Sequence, residues 1–305
     1  MYYILLIILA LSGCVLIYVL IMWQVTRKDN PVLKVNKGTH VINLGSTYAY
    51  YDIDYNGFKV NGVNLANYPQ YLDYDEILLK KCVGKLTKGS KIILTFPNFV
   101  FAGYGTDPIR RQYYEVLWPW EMKKFSLKVL LVFIMKAAAE PFTHEYEKDR
   151  NKWKGYTATD SEKYGYALKR IRDWENPDGT VQIPSVKSAE ITSEHLTRIE
   201  TNKDRVLRMI QLCANHGMEV FLLLFPSSEI MKKEIAEECL EIYLRKPLAS
   251  VLEQAQMFGY RVKVLDYLEN YALSDLSLYM NGDCFNQRGR RLFTELILKD
   301  IGLLQ

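Results

Sequence analysis

The chain begins with a long, uninterrupted apolar pattern. No charged side chain occurs between Met1 and Thr26, and the run from Tyr3 to Trp23 is almost wholly apolar. About 20 helical residues at about 1.5 Å each cover a hydrocarbon core of about 30 Å. The pattern therefore predicts a transmembrane anchor over residues 1–26, with aromatic side chains at both membrane interfaces.

Two processed forms are the alternatives to an uncleaved anchor. The tetrapeptide LSGC that ends at Cys14 looks like a lipoprotein processing box, but the chain stays apolar after Cys14 through Trp23. A cleaved signal peptide ordinarily starts with a basic segment, and no Lys or Arg precedes this run. We therefore expect the anchor to be retained and to be followed by a polar linker over residues 27–38.

After the linker, short apolar runs alternate with segments of helical periodicity. The predicted strands are Thr39–Leu44, Val60–Leu65, Lys91–Phe96, Glu219–Phe225 and Arg261–Leu265. Helical spacing occurs from Tyr71 to Cys82, before Gly217, from Glu229 to Phe258 and from Arg288 to Leu298. This alternation predicts an α/β fold over residues 39–305, with a parallel sheet and helices on both faces. In such sheets the functional site lies at the carboxyl ends of the strands.

A long segment of weaker pattern separates the third and fourth predicted strands. Residues 99–201 are rich in Tyr, Trp, Lys and Arg, and ordered loops of this length are usually functional. We interpret them as a cap-like insertion. Within it, Phe125 to Ala139 is strongly apolar but carries Lys128 and Lys136, so it is too short and too charged for a second membrane span. A buried cap helix and a helix lying on the membrane surface both stay open.

Composition narrows the function classes. The net charge of +4 is modest for 305 residues, and Lys and Arg are scattered among acidic residues, so there is no electrostatic footprint for nucleic acid. The five cysteines are widely spaced and form neither a CxxC pair nor a zinc-ligand spacing. We expect no cofactor, no metal and no nucleic-acid partner.

A candidate nucleophile, Ser46, follows the first predicted strand, between Gly45 and Thr47. A strand-to-helix turn places a serine hydroxyl at the carboxyl edge of the sheet and its backbone N–H near a helix N-terminus. Both favour attack on a carbonyl and stabilise the resulting oxyanion. A simple turn with a helix-capping serine would read the same way.

Further blocks of sequence extend this pattern. Residues 42–47 read INLGST, residues 62–67 read GVNLAN, Asn98 follows the third predicted strand, and residues 281–289 read NGDCFNQRG. The series resembles the SGNH (GDSL-like) hydrolases, in the divergent branch that includes DltD-like proteins and partners of membrane-bound O-acyltransferases. The resemblance covers roughly residues 39–96 and 216–303. It implies a three-layer sandwich with a flavodoxin-like, SGNH-type sheet.

The resemblance assigns a role to each candidate site residue. Ser46 takes the nucleophile position, and the oxyanion donors become the backbone N–H of Asn67 and the side chain of Asn98. In the final block the family has Asp-x-x-His, which falls on Asn281 and Cys284 when the block is aligned on its downstream Asn and Gly. We expect all five residues to converge at the carboxyl ends of the strands.

The final block supplies no histidine in any alignment. If it is aligned on Asp283 instead, the histidine position becomes Asn286, and His216 is the last histidine in the chain. Removing the base of a serine hydrolase can cost on the order of 10⁶ in turnover. A thiol with an ordinary pKa of about 8.5 is a poor substitute, and an amide cannot stabilise an imidazolium. The alternative is a non-standard base, such as His144 or His195 folding over from the insertion.

The resemblance also implies a biological setting. We expect a catalytically degenerate protein that assists O-acyl modification of a cell-surface polysaccharide or cell-wall polymer. Its expected partners are a membrane-bound O-acyltransferase and a glycan or acylated polymer. The Trp and Tyr residues of the insertion suit sugar stacking, although aromatic cores are commoner. The first alternative is an active esterase or O-acyltransferase that uses Ser46.

The resemblance and the charges beside the anchor predict opposite membrane orientations. The resemblance implies a single-pass protein whose main domain is extracytoplasmic. Arg27, Lys28, Lys34 and Lys37 follow the anchor, however, and the positive-inside rule alone would place the main domain in the cytoplasm. An anchored cytoplasmic protein of unrelated function is therefore the second alternative.

Overall fold

The computed structural model describes residues 2–27, 30–68, 70–103 and 157–305, with 113, 115–122, 126–128, 131 and 135 between them. The chain divides into two compact units. Residues 1–34 and 107–151 form the first, and residues 35–106 and 152–305 form the second. His144 and much of the insertion predicted over residues 99–201 lie outside the described residues.

The first unit contains the apolar N-terminal helix. Helix α1 spans Tyr2–Thr26, and a short helix α2 spans Pro31–Lys34. Among the described residues, α1 is the one helix long and apolar enough to cross a membrane, a criterion of length and composition that an N-terminal signal sequence also meets. The prediction of an apolar N-terminal helix is confirmed. After it, the side chain of Asn30 donates a hydrogen bond to Glu115 at 2.8 Å.

The second unit is built on a five-stranded, wholly parallel sheet with strand order β2-β1-β3-β4-β5. Its strands are β1 Val41–Leu44, β2 Gly62–Asn64, β3 Lys91–Phe96, β4 Glu219–Leu224 and β5 Val262–Asp266. The order is that of a flavodoxin-like sheet, in which the strand order reverses between β1 and β3. The predicted α/β fold with a parallel sheet is therefore confirmed.

The inner strands are apolar because they are covered on both faces. All four residues of β1 are buried, as are the last five residues of β3 and of β4. Continuous apolar runs are typical of strands with no solvent-exposed face. At the sheet edge, β5 alternates less cleanly and exposes Lys263, Val264 and Asp266.

Helices connect the strands. They are α3 Thr47–Asp52, α4 Leu72–Cys82, α5 Asp160–Glu175, α6 Ser193–Asn215, α7 Glu229–Glu234, α8 Glu237–Leu240, α9 Lys246–Met257 and α10 Gln287–Asp300. Helices α3 and α10 contact each other, and their buried residues share one cluster with Val41, Ile93 and Phe221. Helix α6 contacts both α4 and α9.

Two helical segments differ from the sequence prediction. The helix predicted from Glu229 to Phe258 is interrupted at Ile235, whose backbone is extended, and a π-helical turn, Glu241–Arg245, precedes α9. Helix α6 starts earlier than its apolar spacing indicated, because the side chain of Thr192 caps it by accepting from the backbone N–H of His195. Residues 193–201, assigned to the insertion from sequence, thus belong to a long helix of the sheet domain.

Candidate functional site

Ser46 lies two residues after the end of β1, at the N-cap position of α3. Its carbonyl accepts from the N–H of Tyr50 at 3.0 Å, but its hydroxyl makes no capping hydrogen bond. Within the described part of the chain, this hydroxyl has no hydrogen-bond partner. Ser46 therefore caps α3 through its backbone alone, and its hydroxyl makes no hydrogen bond to the described residues.

The residue before Ser46 has to be glycine. Gly45 has a φ of +138°, and a Cβ built there would lie 1.8 Å from the side-chain oxygen of Thr95. That oxygen is itself held in place, since it donates to the carbonyl of Leu44 at 2.7 Å. The strand-to-helix turn is thus packed against the neighbouring strand β3, with no room for a side chain.

A buried carboxyl group stands behind the same turn. Asp75, 3% exposed, accepts hydrogen bonds from the backbone N–H of Gly45 and from the side chain of Gln70, the latter at 2.6 Å. Burial raises the pKa of Asp75 to about 7, against the opposing effect of its hydrogen bond from Gln70. Asp73 adds a smaller upward contribution.

The two predicted oxyanion donors are both engaged elsewhere. The backbone N–H of Asn67 donates to the carbonyl of Gly45 at 3.2 Å, and the side-chain oxygen of Asn67 accepts from the N–H of Tyr68. The side-chain nitrogen of Asn98 points to the hydroxyl of Ser227 at 3.5 Å. Asn67 thus adjoins the Ser46 turn, whereas the contact observed for Asn98 is with the loop after β4.

A pocket of about 380 Å³ opens beside this turn. It is lined by Thr47, Tyr51, Tyr68, Tyr166, Lys169, Arg170, Asp173, Met280, Asn281, Asp283 and Cys284. The lining residues come from α3, from the loop after β2, from α5 and from the segment before α10. Asn281 and Cys284 are therefore brought to one pocket together with the neighbour of Ser46. Ser46, Asn67 and Asn98 themselves are not among its lining residues.

The side chain of Asn281 bonds the backbone of Cys284 and not its thiol. The side-chain oxygen of Asn281 accepts from the backbone N–H groups of Asp283 and Cys284, at 3.1 and 2.8 Å. The thiol of Cys284 is 1% exposed, and burial raises its pKa well above the ordinary value, with Asp52 and Asp283 adding to the effect. The thiol therefore stays protonated at neutral pH and is a poor base.

No described histidine lines the pocket. His195 is buried near the start of α6, where its ring contacts Tyr243 and its Nδ1 lies 2.7 Å from the hydroxyl of Thr192. Burial lowers the pKa of His195. The other insertion histidine proposed as a base, His144, lies outside the described residues.

Sequence reasoning missed a polar cluster at the back of the pocket. Asp283 accepts from the hydroxyl of Tyr48 at 2.5 Å and from Nε of Arg170 at 2.7 Å. The charge of Asp283 raises the pKa of Arg170, while burial raises the pKa of Tyr48. Asp283 belongs to a block that sequence analysis singled out, and Tyr48 directly follows another, but nothing in the local pattern marks Arg170 as their partner.

The rest of the final block has structural roles. The side chain of Asn286 caps α10 by accepting from the N–H groups of Arg288 and Gly289, both at 3.0 Å. A Cβ at Gly289 would lie 2.3 Å from the carbonyl of Leu278, so glycine is required there. The backbone N–H of Phe285 donates to the buried Asp52 at 2.8 Å, and burial raises the pKa of Asp52.

A larger pocket, of about 650 Å³, lies between α7 and the loop after β5. Its wall contains the ammonium group of Lys232, which lies 3.6 Å from Glu269 and 4.6 Å from the ring centre of Tyr271. None of the residues predicted for the site lines it. We therefore treat the smaller pocket beside Ser46 as the candidate site.

The described residues contain no group of three or more His, Cys, Asp or Glu side chains arranged to hold a metal ion. No protein-family model and no curated protein matches the chain. The geometry of the pocket and the order of the sequence blocks are thus the grounds on which function is proposed.

Proposed function

We propose that the chain is a membrane-anchored SGNH hydrolase-like protein that is catalytically degenerate. In this role it assists O-acyl modification of a cell-surface polysaccharide or cell-wall polymer. One observation carries the proposal. In the pocket beside Ser46, an amide (Asn281) and a buried thiol (Cys284) stand where the resemblance requires an acid and a base. No imidazole from the described residues lines this pocket.

The proposal includes a finer architecture. Helices α3 and α10 cover one face of the sheet, and α4, α6 and α9 cover the other, which makes a three-layer sandwich of SGNH type. Helix α5, from the segment interpreted as an insertion, forms the cap. The presence of Tyr166 and Arg170 of α5 in the pocket wall supports this role.

In this scheme the pocket binds a ligand rather than hydrolysing it. Tyr51, Tyr68 and Tyr166 contribute aromatic surface, and Lys169 and Asp173 contribute charged groups at the exposed side. Pockets that combine aromatic walls with a few polar groups are typical ligand sites. The ligand is a glycan or an acylated polymer, presented to a membrane-bound O-acyltransferase.

The cellular role is tested by deletion and complementation. Deleting the gene should lower the ester-linked acyl content of the surface polymer, measured after mild alkaline release. Complementation with Ser46→Ala should restore the content as fully as the unchanged chain, because the serine does no chemistry. An unchanged acyl content after deletion would overturn the proposal.

The rival function is an active esterase or O-acyltransferase that uses Ser46 with a non-standard base. The uncommitted hydroxyl of Ser46 favours it. If this rival is correct, Ser46→Ala should fail to complement.

A biochemical test separates the two functions. We expect the unchanged chain to hydrolyse a small activated acetyl ester far more slowly than an ordinary esterase does, because without a base even an intact oxyanion hole leaves only roughly 10³–10⁴ over water. The double change Asn281→Asp with Cys284→His should raise the rate, and adding Ser46→Ala should abolish the gain. Ordinary enzymatic turnover by the unchanged chain, lost in Ser46→Ala, would establish the rival instead.

A further inference from the structure

The guanidinium group of Arg170 is oriented by a buried carboxylate. Nε of Arg170 donates to one oxygen of Asp283 at 2.7 Å, and the other oxygen accepts from the hydroxyl of Tyr48 at 2.5 Å. The Asp283 side chain is 3% exposed. Since both of its oxygens are already hydrogen-bonded, Asp283 holds Arg170 in place and has no free acceptor to offer a ligand.

This arrangement leaves the outer end of Arg170 available. Within the described residues, neither terminal nitrogen of its guanidinium has a hydrogen-bond partner, and the side chain keeps 32% of its surface exposed. The residue lines the pocket. A planar guanidinium with two adjacent unpaired N–H₂ groups matches the paired oxygens of a carboxylate or a phosphate.

The remaining charges around the pocket agree with an anionic ligand. Lys169 precedes Arg170 on α5 and is exposed in the same wall, and Asp173 is the exposed carboxylate near them. Because both oxygens of Asp283 are already bonded to Arg170 and Tyr48, the charged groups that can still hydrogen-bond a ligand are two cations and one carboxylate. Tyr51, Tyr68 and Tyr166 provide the less polar surface beside them.

We propose that this pocket binds a carboxylate or phosphate group carried on a sugar or polyol, with Arg170 as its anchor. The inference rests on the proposed function, because it names the ligand class of the same pocket. Asp283 and Tyr48 act as positioning residues for the anchor. Ser46 takes no part in this binding.

The test compares charged probes with their neutral counterparts. The full chain, in a zwitterionic detergent without a sugar headgroup, is titrated calorimetrically with trigalacturonate and with its methyl ester. A second pair, glycerol phosphate and glycerol, separates phosphate recognition from carboxylate recognition. We expect at least one charged probe to bind about ten-fold or more tightly than its neutral counterpart, since hydrogen bonds between charged groups are stronger than those between neutral groups.

Three variants identify the anchor. Arg170→Gln should lose most of the preference for the charged probe. Arg172→Gln, an identical change at an exposed position of α5 outside the pocket, should leave it unchanged. Asp173→Asn should tighten binding of the charged probe about two-fold, because an exposed repulsive charge is removed. This last variant leaves the Arg170–Asp283 pair intact, so its result does not depend on the stability of Arg170→Gln.

Two outcomes would overturn the inference. They differ in whether they also contradict the proposed function. Equal binding of charged and neutral probes, unaffected by Arg170→Gln or Asp173→Asn, would show a neutral polyol site, and the proposed function would stand. No saturable binding of any probe up to about 10 mM would remove both the inference and the ligand-binding part of the proposed function. The complementation experiment would then decide whether the scaffolding part survives.

Discussion

The side chain of Asn281 accepts hydrogen bonds from two successive backbone N–H groups and so closes the turn before Cys284. An aspartate could accept the same two bonds, and it would add the negative charge that a catalytic imidazolium needs. Asparagine therefore stabilises the same backbone turn but supplies no negative charge. At this position the turn depends on the acceptor oxygen of the side chain, whereas catalysis would depend on its charge.

This interpretation predicts a stability loss on truncation. Asn281→Ala should lower the free energy of unfolding by about 1–2 kcal/mol, because two partly buried N–H groups lose their acceptor. Urea unfolding of the full chain in detergent, followed by tryptophan fluorescence, measures it. The control is Asn176→Ala, where one N–H in an exposed turn is affected and about 0.5 kcal/mol or less is expected. Equal losses in the two variants would contradict the turn-closing role of Asn281.

At the scale of elements, the packing of the turn between β1 and α3 predicts that replacing its glycine costs much more stability than replacing a glycine in an open turn. Gly45→Ala combines a φ of +138° with an overlap on the Thr95 side chain, so it should cost about 3 kcal/mol or more. Gly57→Ala meets a φ of +85° but no atom within 4 Å, and about 1 kcal/mol is expected. The same unfolding measurement compares them. A loss at Gly45 no larger than at Gly57 would show that the turn is not tightly packed.

The buried carboxyl group of Asp75 predicts a pH dependence of stability. Its pKa is about 7 in the folded chain and about 4 in the unfolded chain, so the folded state binds the extra proton. The resulting stabilisation is present below about pH 4 and is lost as the pH rises through 7. Asp75→Asn should remove this loss, so the stability of the variant relative to the unchanged chain should rise across that interval. The rise is on the order of 4 kcal/mol at most.

Unfolding measured at several values between pH 4 and pH 7.5 checks the change at Asp75. Asp178→Asn, in an exposed loop, is the control and should follow the unchanged chain. If Asp75→Asn lost stability with rising pH as much as the unchanged chain does, the pH dependence would belong to other groups.

The elements also show what the sequence can and cannot predict. Strand β3 has the predicted bounds, because a strand buried on both faces is necessarily an apolar run. The early start of α6 was missed because its first turns are mostly exposed and polar, and a capping threonine rather than periodicity begins the helix. The interruption at Ile235 was missed because helical spacing resumes after it. There the N–H of Ala236 donates to Val186, a contact that depends on tertiary structure.

The candidate site, too, could be predicted only in part from the sequence. The position of Ser46 after the first strand follows from the order of apolar and glycine-containing segments. The pairing of Arg170 with Asp283 joins residues 113 positions apart, and no periodicity or motif relates them. Interactions of this kind depend on how α5 packs on the sheet domain, so the pocket's charged anchor could be identified only from the structure.

At the scale of the whole molecule, the orientation of the sheet domain is testable. We predict that it faces outward, as the proposed function requires, although the basic residues after the anchor argue for the opposite. Met257, 79% exposed at the end of α9, can be changed to Cys in a Cys14→Ala background, since the other four cysteines are buried and unpaired. A membrane-impermeant maleimide should label it in intact cells. Labelling only after the cells are permeabilised would place the domain inside.

The strand order also has a consequence for synthesis. Strand β3 is flanked by β1, made shortly before it, and by β4, whose Glu219 pairs with a residue 128 positions earlier. At about 5–20 residues per second, a nascent chain presents an unpaired apolar strand edge for roughly 6–25 s. Exposed strand edges are templates for wrong pairing between chains. We therefore expect the nascent chain to be prone to mispairing at that edge until the second half of the chain arrives.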